Sequence, residues 1–412
     1  MGGGISPVKR YEDPLEARGV VLSWDNEKPV VLVSVDWCEI RHTAHDAWRS
    51  AIAKAVQTDP LRVLVSSVHQ HDAPVADLRA EEILRKANAT GSVCHPDFHA
   101  QTVEKVAREA AKATQEWIEV TRISACKTEI EAIASNRRYL DREGKPRFDR
   151  GSATRDDFAR QAPPGAIDPL LKMIRLEGAK GEAVTLFHYA THPMSYYGQG
   201  AVSADFIGLG RRAFERRHPG SFPIYFSGCS GNVTAGKFNT GDPANRPVLG
   251  QKLAAGMEAA LGAAKPIPLG TPQFRSIPFS LPFRKDPAFT VAAMQDRLKA
   301  NRTFHQCLAA MGLSCRERLE RPLDLPILDF GMAAFLLAPA ESYVEFQLHA
   351  NLVRPDATIL TAGYGESAPG YIPTEKAWQE NDSNLGDWCW VNRGSEAPLK
   401  EAISRALSST KP

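Results

Sequence analysis

Apolar and polar positions follow two rhythms along this chain, and the switches between them mark its elements. Residues 19–24 and 30–35 are β-branched runs flanking the polar turn Asp25-Asn26-Glu27-Lys28, which predicts a hairpin. Its second arm is almost continuously apolar, as a strand covered on both faces requires. In 44–57 the residues Ala44, Trp48, Ile52 and Val56 recur at helical spacing, and 61–68 returns to a strand pattern. A helix is expected over 96–116 and a strand or pair of strands over 120–134. The stretch 136–169, rich in Arg, Asp, Gly and Pro, reads as a long surface loop, a type that in compact domains tends to carry function. Residues 173–176 and 183–191 form a second hairpin about the turn 177–182. Beyond it come a helix at 205–217, a short strand at 223–227 and an Ala/Leu-rich helix at 246–264. A strand near 273–281, helices within 286–320, a strand pair within 327–337, a helix after Ala340, a strand at 358–362 and a helical stretch at 396–407 complete the series. Strands and helices interleave throughout, so the class is α/β: one domain over 1–412, a mixed β-sheet core flanked by helices.

Composition narrows the function. The chain has 412 residues, 43% hydrophobic and 24% charged, enough to bury a large core. A formal charge of +2 supplies no field for nucleic acid or an anionic surface, so a small-molecule or lipid substrate fits better. The longest apolar stretches, 29–35 and 332–340, fall far short of the ~20 residues that cross a bilayer. The first seven residues lack the cationic and apolar pattern of a signal peptide, and none is expected. Seven cysteines are scattered without a Cys-x-x-Cys pair, which argues against a thiolate zinc site or a disulfide framework. Cys307 and Cys315 are the pair that could close in an oxidising compartment.

Candidate chemistry concentrates in two histidine clusters. His69-Gln70-His71-Asp72-Ala73-Pro74 follows the apolar run 62–68, and alternate residues at a strand's end project toward a common point. Hydrogen-bonded strand-end histidines are the competing reading for such a pair. His188 and His192 have the spacing of a helix-borne zinc pair, but Thr185, Phe187, Tyr189 and Thr191 favour a strand that Pro193 ends. His192, at the strand's mouth, is therefore the expected functional residue, and His188 a core residue. Other signatures fail. There is no His-Glu-x-x-His; Gly228-Cys229-Ser230-Gly231-Asn232 lacks the last glycine of a nucleophile elbow; and the glycines of Gly208-Leu209-Gly210 suit helix packing better than a dinucleotide.

The order of these pieces resembles the catalytic domain of the neutral/alkaline ceramidase family. His69-Gln70-His71-Asp72-Ala73-Pro74 resembles the family's His-Thr-His-Ser-Gly-Pro, and Asn136-Arg137 its Asn-Arg before a long loop. Ala190-Thr191-His192-Pro193-Met194-Ser195 resembles its third-histidine motif, and Ser203-Ala204-Asp205 its Ser-x-Asp. The segment 227–234 is similar to its Gly-Asp-Val-Ser; Pro339-Ala340-Glu341 and Tyr371-Ile372-Pro373-Thr374 fall where it carries a glutamate and a tyrosine on the metal.

Carried over residue by residue, the resemblance implies a zinc ion on His69, His192, Glu341 and Tyr371, a donor set reasonable for Zn2+. It implies His71 as general acid or carbonyl-orienting group, Arg137 at the developing oxyanion, and Thr234 at the family's serine position. Asp205, Gly228, Asn232 and Tyr196 are the candidate substrate contacts. Thr234 and Asn232 depart from the family's serine and acid, which weakens any serine-type attack there. A second family tyrosine has no counterpart near Ser383, and the family's C-terminal immunoglobulin-like domain and N-terminal Asp-Ile-Thr-Pro opening are not matched. The family's members suggest a secreted or periplasmic setting. The activity implied is hydrolysis of an N-acyl amide, with Trp388, Trp390, Tyr196, Tyr197 and Arg138 hinting at a more polar, aromatic site. A metal-dependent esterase or lactonase, a carbohydrate-active hydrolase and a non-catalytic binding protein are the rival readings.

Overall fold

Parallel strand pairing needs a crossover, whereas antiparallel pairing needs only a turn, and this chain uses one parallel pair in each of its three larger sheets. The computed structural model describes residues 7–408. The first sheet runs Ala17–Leu22, Val30–Val35, Val63–Ser67, with the last two strands parallel. The second runs Ser221–Ser227, Ala183–Tyr189, Leu170–Gly178, Val120–Glu129, Lys265–Ile267, with only its first two strands parallel. The third runs Gln273–Phe279, Leu323–Asp329, Ala333–Leu337, Thr358–Ala362, again with its last two strands parallel. The expected mixed core is thus divided among three sheets flanked by helices.

Helix faces seal these sheets. In His42–Val56 the buried residues Ala44, Trp48, Ile52 and Val56 lie at helical spacing and pack against Val31, Val33 and Val65 of the first sheet. Burying each large side chain of that stripe stabilises by about 1.5–3 kcal/mol. The helix Asp205–Arg217 and Asn245–Gly262 do the same for the second sheet, and Val344–Val353 with Glu396–Leu407 for the third. The helix Leu78–Lys86 has no counterpart in the sequence reading; Asp77 caps it by accepting a hydrogen bond from Ala80 N at 2.9 Å. The 136–169 stretch is fixed rather than loose. Arg150, fully buried, donates to the carbonyls of Asn136, Ala159 and Pro164, closing the segment on itself around the short helix Asp157–Gln161.

The three parallel pairs end at one place. Ser66 Oγ donates to Gly363 O (2.9 Å), Ser227 Oγ to Val68 O (2.7 Å), and Gly363 N to Ser227 O (2.8 Å), so the carboxyl ends of all three sheets are stitched together. Small residues make this approach possible: a Cβ on Gly228 would lie 2.4 Å from Gln347 Oε1. The segments leaving these ends carry Cys38 and His69 from the first sheet, His192 and Ser230 from the second, and Glu341 and Tyr364 from the third. Carboxyl ends of parallel strands are the usual home of sites in α/β proteins.

Candidate metal centre

Three side chains converge where the sheets meet. His69 Nε2 and His192 Nε2 are 3.2 Å apart, and Glu341 Oε2 lies 3.3 Å from the first and 3.1 Å from the second. All three residues are buried. Each imidazole is held from behind, His69 Nδ1 by Cys38 O at 2.8 Å and His192 Nδ1 by Ser230 O at 2.6 Å. A carbonyl can only accept, so these partners assign the hydrogen to Nδ1 and turn an Nε2 lone pair inward. Two lone pairs and a carboxylate facing one another repel unless something positive sits among them. The donor set therefore fits a divalent cation, with His69, His192 and Glu341 as the residues that could hold it.

Titration follows the same logic. Burial, with the Arg137 charge adding to it, pushes His192 down to about 4. Burial opposes ionisation of Glu341, yet His69 and His192 hold its carboxyl well below the usual carboxylate range. Burial likewise opposes a charge on His69, but Cys38 and Glu341 raise it well above the ordinary imidazole value.

Backbone geometry delivers these side chains. Glu341 and Tyr371 are direct register partners in a two-residue parallel ladder, Glu341–Ser342 with Tyr371–Ile372. His69 (φ 73°) and Ala340 (φ 50°) occupy the left-handed region, which costs a non-glycine residue about 1–2 kcal/mol. Tyr371, expected on the metal, meets the cluster through Arg137: its Oη accepts from Arg137 Nη1 at 2.7 Å, while Nη2 lies 3.3 Å from His192 Nε2. Arg137 Nε is buried with no partner among the described residues. His71 stands beside the cluster, its ring 5.2 Å from that of His69 and edge-on to Tyr197 at 5.1 Å. Both its nitrogens are buried and unpartnered among the described residues. Burial, then the neighbouring His69 and His192, drives its pKa well below the ordinary range, so the ring is neutral.

The remaining candidates lie outside this cluster. Thr234 donates to Gly151 O (2.7 Å) and accepts from Gly236 N (3.1 Å), so its hydroxyl is spent on the backbone. Asp205 accepts from Ser195 N at 3.1 Å and pairs with Arg246, fixing the loop after His192. Asn232 accepts from Val344 N and donates to Glu345, tying the helix after Glu341 to the His192 sheet. Gly228 serves the close approach of sheets described above. Tyr196 turns away toward Glu12 and Arg246; the neighbouring Tyr197 is the tyrosine on His71. His188 is a core residue, with Nε2 2.9 Å from Thr361 O. All seven cysteines are free thiols, Cys307 and Cys315 included. Near Ser383, where no second tyrosine stands, Asn384 Oδ1 accepts from Arg137 Nη1 at 3.2 Å.

A cavity of about 1010 Å³ has a wall that includes none of the cluster's own side chains. Its wall is mostly apolar and includes Trp37, Pro74, Val75, Phe304, Met311 and Trp388. Two of these support the cluster by their backbones: Trp37 O accepts from His69 N (2.9 Å) and Trp388 O from Tyr371 N (3.0 Å). Sequence reasoning did not anticipate this cavity, because its walls come from seven separate stretches of the chain.

No family model and no curated protein matches the sequence. Solved structures do. A ceramidase described as complexed with C2 superposes with a TM-score of 0.68 at 16% identity, covering 94% of this chain and 68% of that one. The neutral ceramidase from Pseudomonas aeruginosa gives 0.69 at 17% identity, covering 94% and 67%. Over nearly its whole length, then, this chain has the fold of the neutral ceramidases.

Proposed function

We propose that this protein is a zinc-dependent hydrolase that cleaves the amide bond of N-acyl compounds carrying a long apolar chain. The observation that carries the reading is the convergence of His69 Nε2, His192 Nε2 and Glu341 Oε2 as three facing acceptors, each histidine locked from behind. Zinc, when bound there, would acidify a water and polarise a carbonyl. The chain's own residues supply the rest. Neutral His71 has a free nitrogen to take a proton from the attacking water as the new C–O bond forms. It then returns that proton to the nitrogen that leaves as the C–N bond breaks. Arg137, cationic and with an unspent Nε–H, holds negative charge on the carbonyl oxygen. Tyr371 and Asn384 fix the guanidinium in that attitude. The apolar cavity walled by Trp37 and Trp388, whose carbonyls accept from His69 N and Tyr371 N, suits the chain of an N-acyl lipid.

Elemental mass spectrometry of the purified protein and of His192→Ala tests the first step. About one zinc per chain, lost in the variant, is expected. Hydrolysis of matched N-acyl amides and esters then separates an amidase from an esterase, and an absence of metal in the unsubstituted protein defeats the reading.

A further inference from the structure

Tyr364 has no part in the chemistry just described, yet each residue of the cluster lies one contact from it. It is fully buried and sits at φ 57°, a backbone conformation that an aromatic residue adopts only when its surroundings demand it. Its ring stacks on His69, with centroids 4.2 Å apart and planes within 16°. Cys38 O fixes the edge of that imidazole and Tyr364 fixes its plane, so together they determine where Nε2 points. Tyr364 Oη lies 2.6 Å from Ser230 Oγ, and the carbonyl of Ser230 is what holds His192 Nδ1. Tyr364 N donates to Ala340 O at 3.0 Å, the carbonyl immediately before Glu341, and Tyr364 O accepts from Ser67 N at 3.0 Å. One side chain and its own peptide groups thus join the carboxyl ends of all three sheets.

We propose that Tyr364 is the positioning residue that pre-organises His69, His192 and Glu341 for a divalent cation. The inference rests on the reading of that cluster as a metal centre. Partners that orient a ligand from behind are typically worth about 10–100-fold in metal affinity. Tyr364→Phe keeps the stack on His69 and removes the link to Ser230; Tyr364→Leu removes both.

The test loads the full-length protein and both variants with Co2+ and measures affinity by chelator competition, the visible absorption of the bound ion, and far-ultraviolet circular dichroism. Affinity is expected to fall about 10-fold in Tyr364→Phe and about 100-fold in Tyr364→Leu, with altered absorption and unchanged dichroism in Tyr364→Phe. If the unsubstituted protein binds Co2+ and both variants match it in affinity and absorption, the positioning role is overturned while the metal centre stands. If the unsubstituted protein takes up no Co2+, the metal centre itself falls and Tyr364's role with it. Should Tyr364→Leu fail to fold, Tyr364→Phe alone decides.

Discussion

At the scale of single residues, the proposed function gives the histidines two parts, holding and transferring. His69 presents its inward nitrogen to a carboxylate and a second imidazole, whereas His71 presents two nitrogens to nothing. His69→Ala should therefore abolish metal binding and turnover together. His71→Ala should keep its metal, measured by elemental analysis, and lose roughly 10²–10⁴-fold in kcat, the usual worth of a positioned acid–base group. A His71→Ala protein that lost its metal would reverse the assignment. The His-x-His pattern was legible in the sequence because two imidazoles at a strand's end are uncommon company. Tyr364 was not, since an aromatic between Gly363 and Gly365 carries no periodic signal, and its importance comes from contacts to residues 69, 230 and 340.

At the scale of elements, most strands and helices were readable from periodicity: the strand Val30–Val35 and the helix Asp205–Arg217 fall where the pattern put them, and the first hairpin arm, expected at 19–24, lies at Ala17–Leu22. What periodicity could not give was the division into three sheets, because pairing depends on partners far apart in sequence. Nor could it reveal the buried ionic cluster that braces the segment before Tyr371. Arg41 donates to Ser367 O and Ala368 O, and Arg318 pairs with Glu366, whose other oxygen accepts from His42 N. Burial opposes the Glu366 charge, but Arg318 and His45 hold its pKa down at about 2. A carboxyl depressed on folding contributes stability that is complete above its unfolded pKa of about 4.3 and is lost as pH falls toward 2. Acid unfolding should thus steepen across that window. Glu366→Gln, which strands Arg318, should cost about 3–5 kcal/mol at pH 7 and flatten the acid limb, as urea titrations at several pH values would record. An unchanged acid limb would mean that other carboxylates carry it.

At the scale of the whole molecule, the fold holds an apolar cavity of about 1010 Å³ whose wall residues Trp37 and Trp388 bond through their carbonyls to His69 N and Tyr371 N. Burying one methylene is worth about 0.8 kcal/mol, close to a fourfold change in an equilibrium constant. For a series of N-acyl substrates, kcat/KM should then climb about fourfold for each added CH₂ until the cavity is full. Phe304→Asp at its rim should flatten the climb while leaving the shortest substrate unaffected. A response that is flat in the unsubstituted protein would remove the cavity from substrate binding. The aromatic residues that suggested a polar binding surface divide instead: Trp390 is core beneath the Arg41 guanidinium, and Trp388 lines the apolar cavity.

The meeting of three sheet ends also sets an order of events in synthesis. His69 precedes His192 by 123 residues, and Glu341 follows His192 by 149. A nascent chain on the ribosome cannot assemble the centre until the last of these has emerged, by which time the first two sheets have long been available to fold. On the proposed function, cation capture would be a closing step of biogenesis, and a shortage of the ion at that moment would leave a folded scaffold still waiting for its charge.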